Sequence, residues 1–246
     1  MNLKKVNRAL ISVSDKSELT KILKVLKKFK VEILSSGGTY KKINRLGYKS
    51  IEISDFTNSP EILDGRVKTL HPKLYGGILF KRNNKKHQKQ IKKINIKKID
   101  LVIVNFYPFE EAVKTGNYKK IIENIDIGGP TLVRAAAKNY EDVTVITDTS
   151  QYIALQNEMN KYRGSTSLNF RKILSRDAFL ETGYYDTKIT EYLNKANNDS
   201  PPPKKKLIGG NLVENLRYGE NPHQGASVYS FCLLYTSDAA DEWWGV

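Results

Sequence analysis

The stretch IDLVIVNFYPF, residues 99–109, indicates the fold of this chain more strongly than any other part of the sequence. Its residues 101–104 are all apolar, and three of them are β-branched. A nearly continuous apolar run of this kind predicts a strand that is buried on both faces. Such strands occur in parallel sheets covered by helices, so the stretch favours an α/β fold.

The segments before and after this strand alternate between strand and helix patterns. Short β-rich runs are followed by segments with apolar residues at helical spacing, such as Leu19, Ile22, Leu23, Leu26 and Phe29. Asp15, with Glu18 three residues later, resembles a capping box for this first helix. The alternation predicts a mostly parallel sheet flanked by helices, with a helical C-terminal extension over residues 151–197 that breaks near Arg163. The other predicted elements are strands at residues 8–13, 31–36, 48–54 and 142–147 and a second helix at residues 37–47.

Composition and charge argue against several classes of protein. The chain has 246 residues and a formal charge of +15. Its Lys-rich runs, residues 81–93 and 92–100, lack aromatic residues that could stack on bases, so we expect solvated faces and no nucleic-acid partner. No run of about 18 apolar residues and no apolar N-terminal signal is present, so we expect no membrane association. The single cysteine, Cys232, excludes an internal disulfide and fits a cytoplasmic protein.

Polar, glycine-rich segments follow three of the predicted strands: SVSDK (residues 12–16), SSGGT (35–39) and NFYPF (105–109). The carboxyl ends of parallel strands meet at one edge of the sheet, where ligands bind. The three segments therefore predict a single site. SSGGT could bind a phosphate at a helix N-terminus or form an ordinary strand-to-helix turn. Tyr107 could hydrogen-bond a ligand or be a buried residue with a satisfied hydroxyl.

Two further segments carry residues suited to a phosphorylated ligand. LDGRVKTLHPK (residues 63–73) crowds hydrogen-bond donors beside the turn-forming Gly65, and its His71 could be structural or catalytic. DIGGPTLVRAAAK (126–138) places Asp126 before a predicted helix, on which Thr131, Arg134 and Lys138 share one face. A metal site is not expected, because the three histidines, His71, His87 and His223, lack ligand spacing.

Six motifs occur in order along the chain: SVSDK, SGGT, GRVKTLHP, NFYPF, IDIGG and RAAAKN. Together they resemble the IMP cyclohydrolase domain of the bifunctional purine biosynthesis proteins that also carry AICAR transformylase. The resemblance covers roughly residues 8–197, and LRYGENPHQ (216–224) resembles the opening of the transformylase domain. It implies a methylglyoxal-synthase-like fold, which agrees with the alternation of strands and helices.

The resemblance implies ring closure of the formylated substrate FAICAR to inosine monophosphate, IMP, with loss of water. No cofactor or metal is implied. The family's catalytic residues match Lys68, Tyr107, Asp126 and Lys138. We expect Asp126 to remove the carboxamide proton, Lys138 to donate to the departing oxygen, and Lys68 and Tyr107 to orient the formyl group.

The resemblance also implies substrate contacts and a homodimer. The ribose phosphate is expected at the glycine turn and Lys16. In the transformylase fragment, Arg217 and Tyr218 match nucleotide contacts of the family. The implied substrate-binding residues are Ser14, Asp15, Lys16, Ser36, Gly37, Gly38, Thr39, Arg66, Val67, Thr69, Val104, Asn105 and Ile127.

The resemblance ends near Phe231, and we interpret the domain organisation accordingly. We expect a cyclohydrolase domain at residues 1–197, a linker at 198–206, the start of a transformylase domain at 207–231 and an unrelated tail at 232–246. Residues 207–246 are expected to be poorly ordered, and transformylase activity is expected to be absent. Two other functions stay open: a non-catalytic nucleotide-binding module of the same fold, and a nucleic-acid binder that depends on its charge.

Overall fold

The structure is a computed structural model that describes residues 2–196, 201, 203–217 and 224–230. The chain divides into two compact units, residues 1–183 and residues 184–246. The first unit contains a five-stranded sheet in the order β4-β3-β2-β5-β6, in which all neighbouring strands are parallel. Its strands are β2 (Arg8–Val13), β3 (Glu32–Ser35), β4 (Ile51–Glu52), β5 (Leu101–Asn105) and β6 (Thr144–Ile146). The predicted α/β architecture is confirmed.

Helices connect these strands. Two short 3-10 helices, at Leu63–Gly65 and Thr149–Gln151, lie between the α-helices of the described residues. No described helix is both long and apolar enough to cross a membrane. The helices are α1 (Leu19–Lys28), α2 (Gly37–Arg45), α3 (Ile53–Thr57), α4 (Pro72–Leu79), α5 (Lys85–Lys93), α6 (Phe109–Lys114), α7 (Tyr118–Glu123), α8 (Gly128–Lys138), α9 (Tyr152–Lys161) and α10 (Leu168–Ala196).

The core lies on both sides of β5, the strand that the apolar run predicted. Its residues 101–104 are at most 1% exposed, as expected for a strand covered on both faces. α1 buries the predicted apolar positions Leu19, Ile22, Leu23 and Leu26. α8 packs against β5 and β6, and its alanines 135–137 are buried, with small side chains that permit a close approach of neighbouring elements.

The predicted capping box at the start of α1 is wrong. The helix begins at Leu19, and the Glu18 side chain makes no capping hydrogen bond. The Asp15 carboxylate instead accepts a hydrogen bond from the Ser17 backbone amide at 2.9 Å. Asp favours this local turn, in which its side chain accepts a hydrogen bond from the backbone amide two residues later. The carboxylate therefore has its partner before the helix starts and does not cap it.

Two other predictions need correction. The strand predicted at residues 48–54 is limited to Ile51–Glu52, because α3 begins at Ile53. The predicted helical extension contains a strand, β7 (Ser165–Ser167), which pairs antiparallel with β1 (Leu3–Lys5). Residues Arg163 and Gly164, where the break was predicted, have positive φ angles of 52° and 84°. They reverse the chain and allow this short pairing.

The second unit contains a two-stranded antiparallel sheet. Its strands β8 (Asn211–Leu216) and β9 (Ala226–Ser230) pair with a register shift between Leu212 and Glu214. The expectation that residues 207–246 are poorly ordered is thus wrong for these strands, because antiparallel pairing needs only nearby segments of chain. Tyr218, His223, Cys232 and the tail at 232–246 lie outside the described residues, and the predicted domain boundaries stay predictions.

Candidate active site

A cavity of about 740 Å³ opens at the carboxyl ends of β2, β3 and β5 in the first unit. The chain passes from β2 to its neighbour β3 on one side and from β5 to its neighbour β6 on the other. The switch point of the sheet therefore lies between β2 and β5, and ligands bind at such points of parallel sheets. The convergence predicted from the sequence is therefore present. The lining residues are 12–14, 16, 36–39, 61, 64–66, 68, 69, 105, 107 and 122–129.

The glycine turn between β3 and α2 forms one wall of the cavity. Gly37 has a φ of +54°, and α2 begins at this residue with its first amides unpaired within the helix. A methyl group on Gly38 would lie 3.6 Å from Lys16 Cε, and one on Gly37 would lie 3.1 Å from Lys68 Nζ. Two ammonium groups thus lie against a helix N-terminus, an arrangement suited to an anion.

Lys16 is held in place by the loop after β2. Its Nζ donates a hydrogen bond to the Ser14 carbonyl at 2.8 Å. Burial lowers the pKa of Lys16, and the nearby Asp15 carboxylate opposes this effect. Partial burial removes water from the ammonium group, which strengthens its attraction to an anionic ligand.

Thr39 and Asn105 fix the loop after β2. The Thr39 hydroxyl accepts from the Val13 amide at 3.1 Å and donates to the Val13 carbonyl at 3.0 Å. The Asn105 side-chain oxygen accepts from the amides of Ser14 and Asp15 at 2.5 and 3.0 Å, and its nitrogen donates to the Asp15 carbonyl at 3.2 Å. Both side chains line the cavity, but their hydrogen bonds in this structure hold the backbone.

The segment 61–69 forms a second wall and supplies two cations. Arg66 donates to both carboxylate oxygens of Glu123, from Nε at 3.2 Å and from Nη2 at 2.6 Å. Lys68 Nζ lies 3.0 Å from Glu61 Oε2. The sequence analysis missed both glutamates. Glu123 ends a helix that no motif marked, and Glu61 carries no spacing signal of its own, although it lies four residues before Gly65.

Asp126 lies just before α8 and lines the same cavity as the glycine turn. Its Oδ1 accepts a hydrogen bond from the Gly129 amide at 2.8 Å. Burial raises the pKa of this carboxyl group, while hydrogen bonds from the backbone amides of Gly129 and Tyr107 act in the opposite direction. A methyl group on Gly129 would lie 2.5 Å from Asp126 Oδ2, so the glycine is needed for the carboxylate to approach the helix.

Two alternatives left open by the sequence are decided here. The Tyr107 side chain is 52% exposed and lines the cavity, so it is not a buried tyrosine. His71 lies outside the lining, and its Nδ1 accepts from the Lys73 amide at 3.1 Å as the N-cap of α4. Within the described ranges no group of three metal-binding side chains occurs.

Several of the predicted site residues lie outside the cavity. Asp15 is exposed beside the lining, Val67 pairs with Ile62, Val104 is buried in the sheet, and Arg217 is an exposed residue of the second unit. The remaining substrate-binding residues predicted in the first unit, including Ile127, Ser36 and Thr69, are in the lining.

Lys138 is also outside the lining, and its position bears on the predicted mechanism. It is the last residue of α8, whereas Asp126 precedes the first. Ten residues of α-helix separate the two ends by about 15 Å. Thr131, Arg134 and Lys138 share one exposed face of this helix, as predicted. Asp126 and Lys138 therefore do not meet at one reacting group within this chain, and a catalytic role for Lys138 stays a prediction.

Comparisons with known proteins give two family matches. Residues 18–131 match the MGS-like domain, and residues 136–241 match the AICARFT/IMPCHase bienzyme. The bifunctional purine biosynthesis protein PurH of Ruminiclostridium cellulolyticum is 47% identical over 226 residues, which cover 91% of this chain and 44% of that protein. PurH of Bradyrhizobium diazoefficiens is 45% identical over 228 residues, which cover 92% of this chain and 43% of that protein.

The chain thus spans less than half the length of these curated relatives. A solved structure is also similar. The crystal structure of ForH superposes with a TM-score of 0.67 at 28% identity, covering 76% of this chain and 99% of ForH.

Proposed function

The chain belongs to the family of the bifunctional purine biosynthesis protein PurH, with an MGS-like domain, and on this premise we propose that it is an IMP cyclohydrolase. The proposed reaction closes the ring of FAICAR to give IMP. The carboxamide nitrogen bonds to the formyl carbon. The formyl oxygen then leaves as water with one proton from the carboxamide nitrogen and one from the formamido nitrogen, which forms the C=N bond of the new ring. Because the reaction is intramolecular, the enzyme has to fold the substrate, move protons and stabilise charge on the formyl oxygen.

The observation that carries this proposal is that the Asp126 carboxyl group lines the same cavity as the Lys16 and Lys68 ammonium groups. A module that only binds a phosphate needs the glycine turn and its lysines. It does not need a half-buried carboxyl group with a raised pKa in the same lining. Such a group is suited to proton transfer, because a raised pKa brings a carboxylate closer to the operating pH of a general base.

In the proposed mechanism each wall of the cavity has a task. The ribose phosphate lies at the amides of Gly37 and Gly38, with Lys16 as its counter-charge. Asp126 accepts the carboxamide proton as the nitrogen attacks. Lys68 and the Tyr107 hydroxyl orient the formyl group and donate hydrogen bonds to its oxygen as negative charge develops there. Arg66 remains available to the ligand through the N–H groups that Glu123 does not use.

We propose that this step uses no cofactor or metal, since the residues above supply a base, hydrogen-bond donors and charge stabilisation. A homodimer, a cytoplasmic location and the absence of nucleic-acid partners remain proposals that rest on the family. The proposed activity concerns the cyclohydrolase step, for which all the assigned cavity residues lie in the first unit.

The experiment is the formation of IMP from FAICAR by the purified chain, followed by ultraviolet absorbance. Asp126→Asn is the test variant, and Arg134→Gln, on the exposed face of α8, is the control for a charge change on the same helix. We expect turnover by the wild type and the control, and loss of at least about 100-fold in the Asp126 variant.

Two outcomes would favour the other functions. A folded chain that binds IMP in calorimetry but never turns FAICAR over would be a nucleotide-binding module. A chain that ignores both nucleotides and binds DNA with an affinity that falls steeply with salt would be a nucleic-acid binder.

A further inference from the structure

Glu61 is a carboxylate in the cavity to which neither the sequence motifs nor the proposed mechanism gives a task. We propose that Glu61 is a positioning residue, which holds the Lys68 ammonium group against the glycine turn so that it is in place before the nucleotide binds. The proposal rests on the proposed function, because it takes the cavity to be the nucleotide site.

The contact that carries the proposal joins the two walls of the cavity. Lys68 Nζ lies 3.0 Å from Glu61 Oε2 on one side. On the other side it would lie 3.1 Å from a methyl group on Gly37. The lysine side chain is flexible, and without a partner its ammonium group samples many positions in solvent. The carboxylate restricts it to one position at the start of α2.

A tight turn of the backbone brings Glu61 close to Lys68. Ile62 and Val67 form an antiparallel bridge, with hydrogen bonds of 3.1 and 3.3 Å, which closes a tight turn. Three consecutive residues in this turn, 63–65, have positive φ angles of 55°, 53° and 90°. Two of the three are not glycine, so the conformation is strained and needs support from surrounding contacts.

Gly65 shows that the Glu61 carboxylate is closely seated within this turn. A Cβ atom on Gly65 would overlap the Glu61 carboxylate, and it would also lie 3.7 Å from Lys68 Nζ. The turn therefore surrounds Glu61 with the Gly65 backbone on one side and the ammonium group on the other. An ammonium group has three donors, so a single bond to Glu61 leaves two for a ligand.

A double-mutant cycle on the full chain tests this assignment. The variants are Glu61→Gln, Lys68→Met and the two combined, with IMP as the probe and calorimetry as the measurement. If Glu61 acts through Lys68, we expect Glu61→Gln to raise the Kd for IMP about fivefold. Lys68→Met should raise it further, and the double variant should match Lys68→Met alone.

Glu111→Gln is the matched control, because Glu111 forms an ion pair with Lys114 at a distance of 2.6 Å outside the cavity lining. Both ion pairs are at least partly exposed and contribute little to stability, so all single variants should fold with a similar Tm. The control should bind IMP as the wild type does.

Four results would overturn the inference. Glu61→Gln could leave the Kd unchanged, or it could lower the Kd, which would make Glu61 a competitor of the nucleotide phosphate. Additive effects in the double variant would mean that Glu61 acts independently of Lys68. A wild-type chain that does not bind IMP would overturn the proposed function, and this inference with it, whereas the other results leave the proposed function intact.

Discussion

At the scale of single residues, the surroundings of Asp126 set the pKa of its carboxyl group, and this pKa affects both stability and proton transfer. Burial raises the pKa of its carboxyl group, and two backbone amides only partly offset this effect. A group with a raised pKa in the folded state binds protons more tightly there than in the unfolded chain. Its contribution to stability is complete below the ordinary carboxyl pKa of about 4 and decreases as pH rises through the raised value.

We therefore predict that Asp126→Asn separates activity from stability. The amide oxygen can keep the hydrogen bond from Gly129, but it carries no charge to be desolvated. The variant should lose turnover, and its Tm should exceed that of the wild type by an amount that grows between pH 4 and pH 7. Thermal melts over this range check the sign, and an unchanged or lower Tm at pH 7 would contradict it.

The pH dependence of the wild-type rate should also reflect the raised pKa of Asp126. If ionised Asp126 is the base, kcat/KM for IMP formation should fall on the acid side with an apparent pKa above the ordinary carboxyl value of about 4. The pH–rate profile of the wild type measures this directly. An acid limb at or below the ordinary value would argue that another group accepts the proton.

Gly65 gives a second prediction at the residue scale. Gly65→Ala combines a left-handed backbone, with φ at +90°, and an overlap with the Glu61 carboxylate. Gly47→Ala is a matched control, because Gly47 has φ at +80° and open space where the methyl group would lie. Both substitutions should destabilise the fold by about 1–2 kcal/mol through backbone strain.

Only Gly65→Ala should also weaken IMP binding, because it displaces Glu61 from the cavity. Thermal melts and calorimetry on both variants separate the two effects. Equal loss of IMP affinity in the two variants would mean that backbone strain alone weakens binding. The position of the Glu61 carboxylate would then have no influence on the ligand.

At the scale of elements, the loop after β2 is held by the end of β5. Val13 and Asn105 are directly paired in the parallel register, and the Asn105 amide reaches the first residues of the loop. This side-chain contact joins β2 and β5, the two strands at the switch point of the sheet. It explains how an exposed loop can present Lys16 at a fixed position.

We predict that Asn105→Ala lowers stability by about 1–3 kcal/mol and raises the Kd for IMP about tenfold. Two backbone amides lose their acceptor, and the loop that carries Lys16 becomes mobile. Asn139→Ala is the control, because the Asn139 side chain likewise holds the backbone, donating to the Ile78 carbonyl at 2.7 Å, but it lies outside the cavity lining. The control should lose stability without losing IMP affinity. The same affinity in both variants would contradict the assignment.

At the scale of the whole molecule, the cavity belongs to one unit. Every lining residue lies between positions 12 and 129, within residues 1–183. The hydrophobic core that supports it extends from Val6 to Ala178. We therefore predict that a chain ending at Ala196 folds and binds IMP with the affinity of the full chain. Calorimetry on the two chains is the measurement, and a loss of more than about tenfold in affinity would show that later residues complete the site.

Much of the fold could be predicted because its signals are local. The apolar run at residues 101–104 specified a doubly covered strand, and the spacing of Leu19, Ile22 and Leu26 specified the buried face of α1. The glycine turn followed from two glycines between a strand and a helix. The prediction that failed, the capping box of α1, also concerned a local interaction. The Asp15 carboxylate could either cap a helix or close a turn, and the sequence does not show which of the two is more stable.

The sequence by itself determined the α/β class, the main strands of the sheet, helices α1, α2 and α8, and the motifs that converge on one edge of the sheet. The tertiary structure alone decided which side chains face the cavity. Glu61 and Glu123 enter it, Lys138 lies outside it, and the amide of Asn105 holds the backbone. The physical reason is that periodicity fixes which face of an element is buried, whereas an ion pair between distant residues depends on how the elements pack.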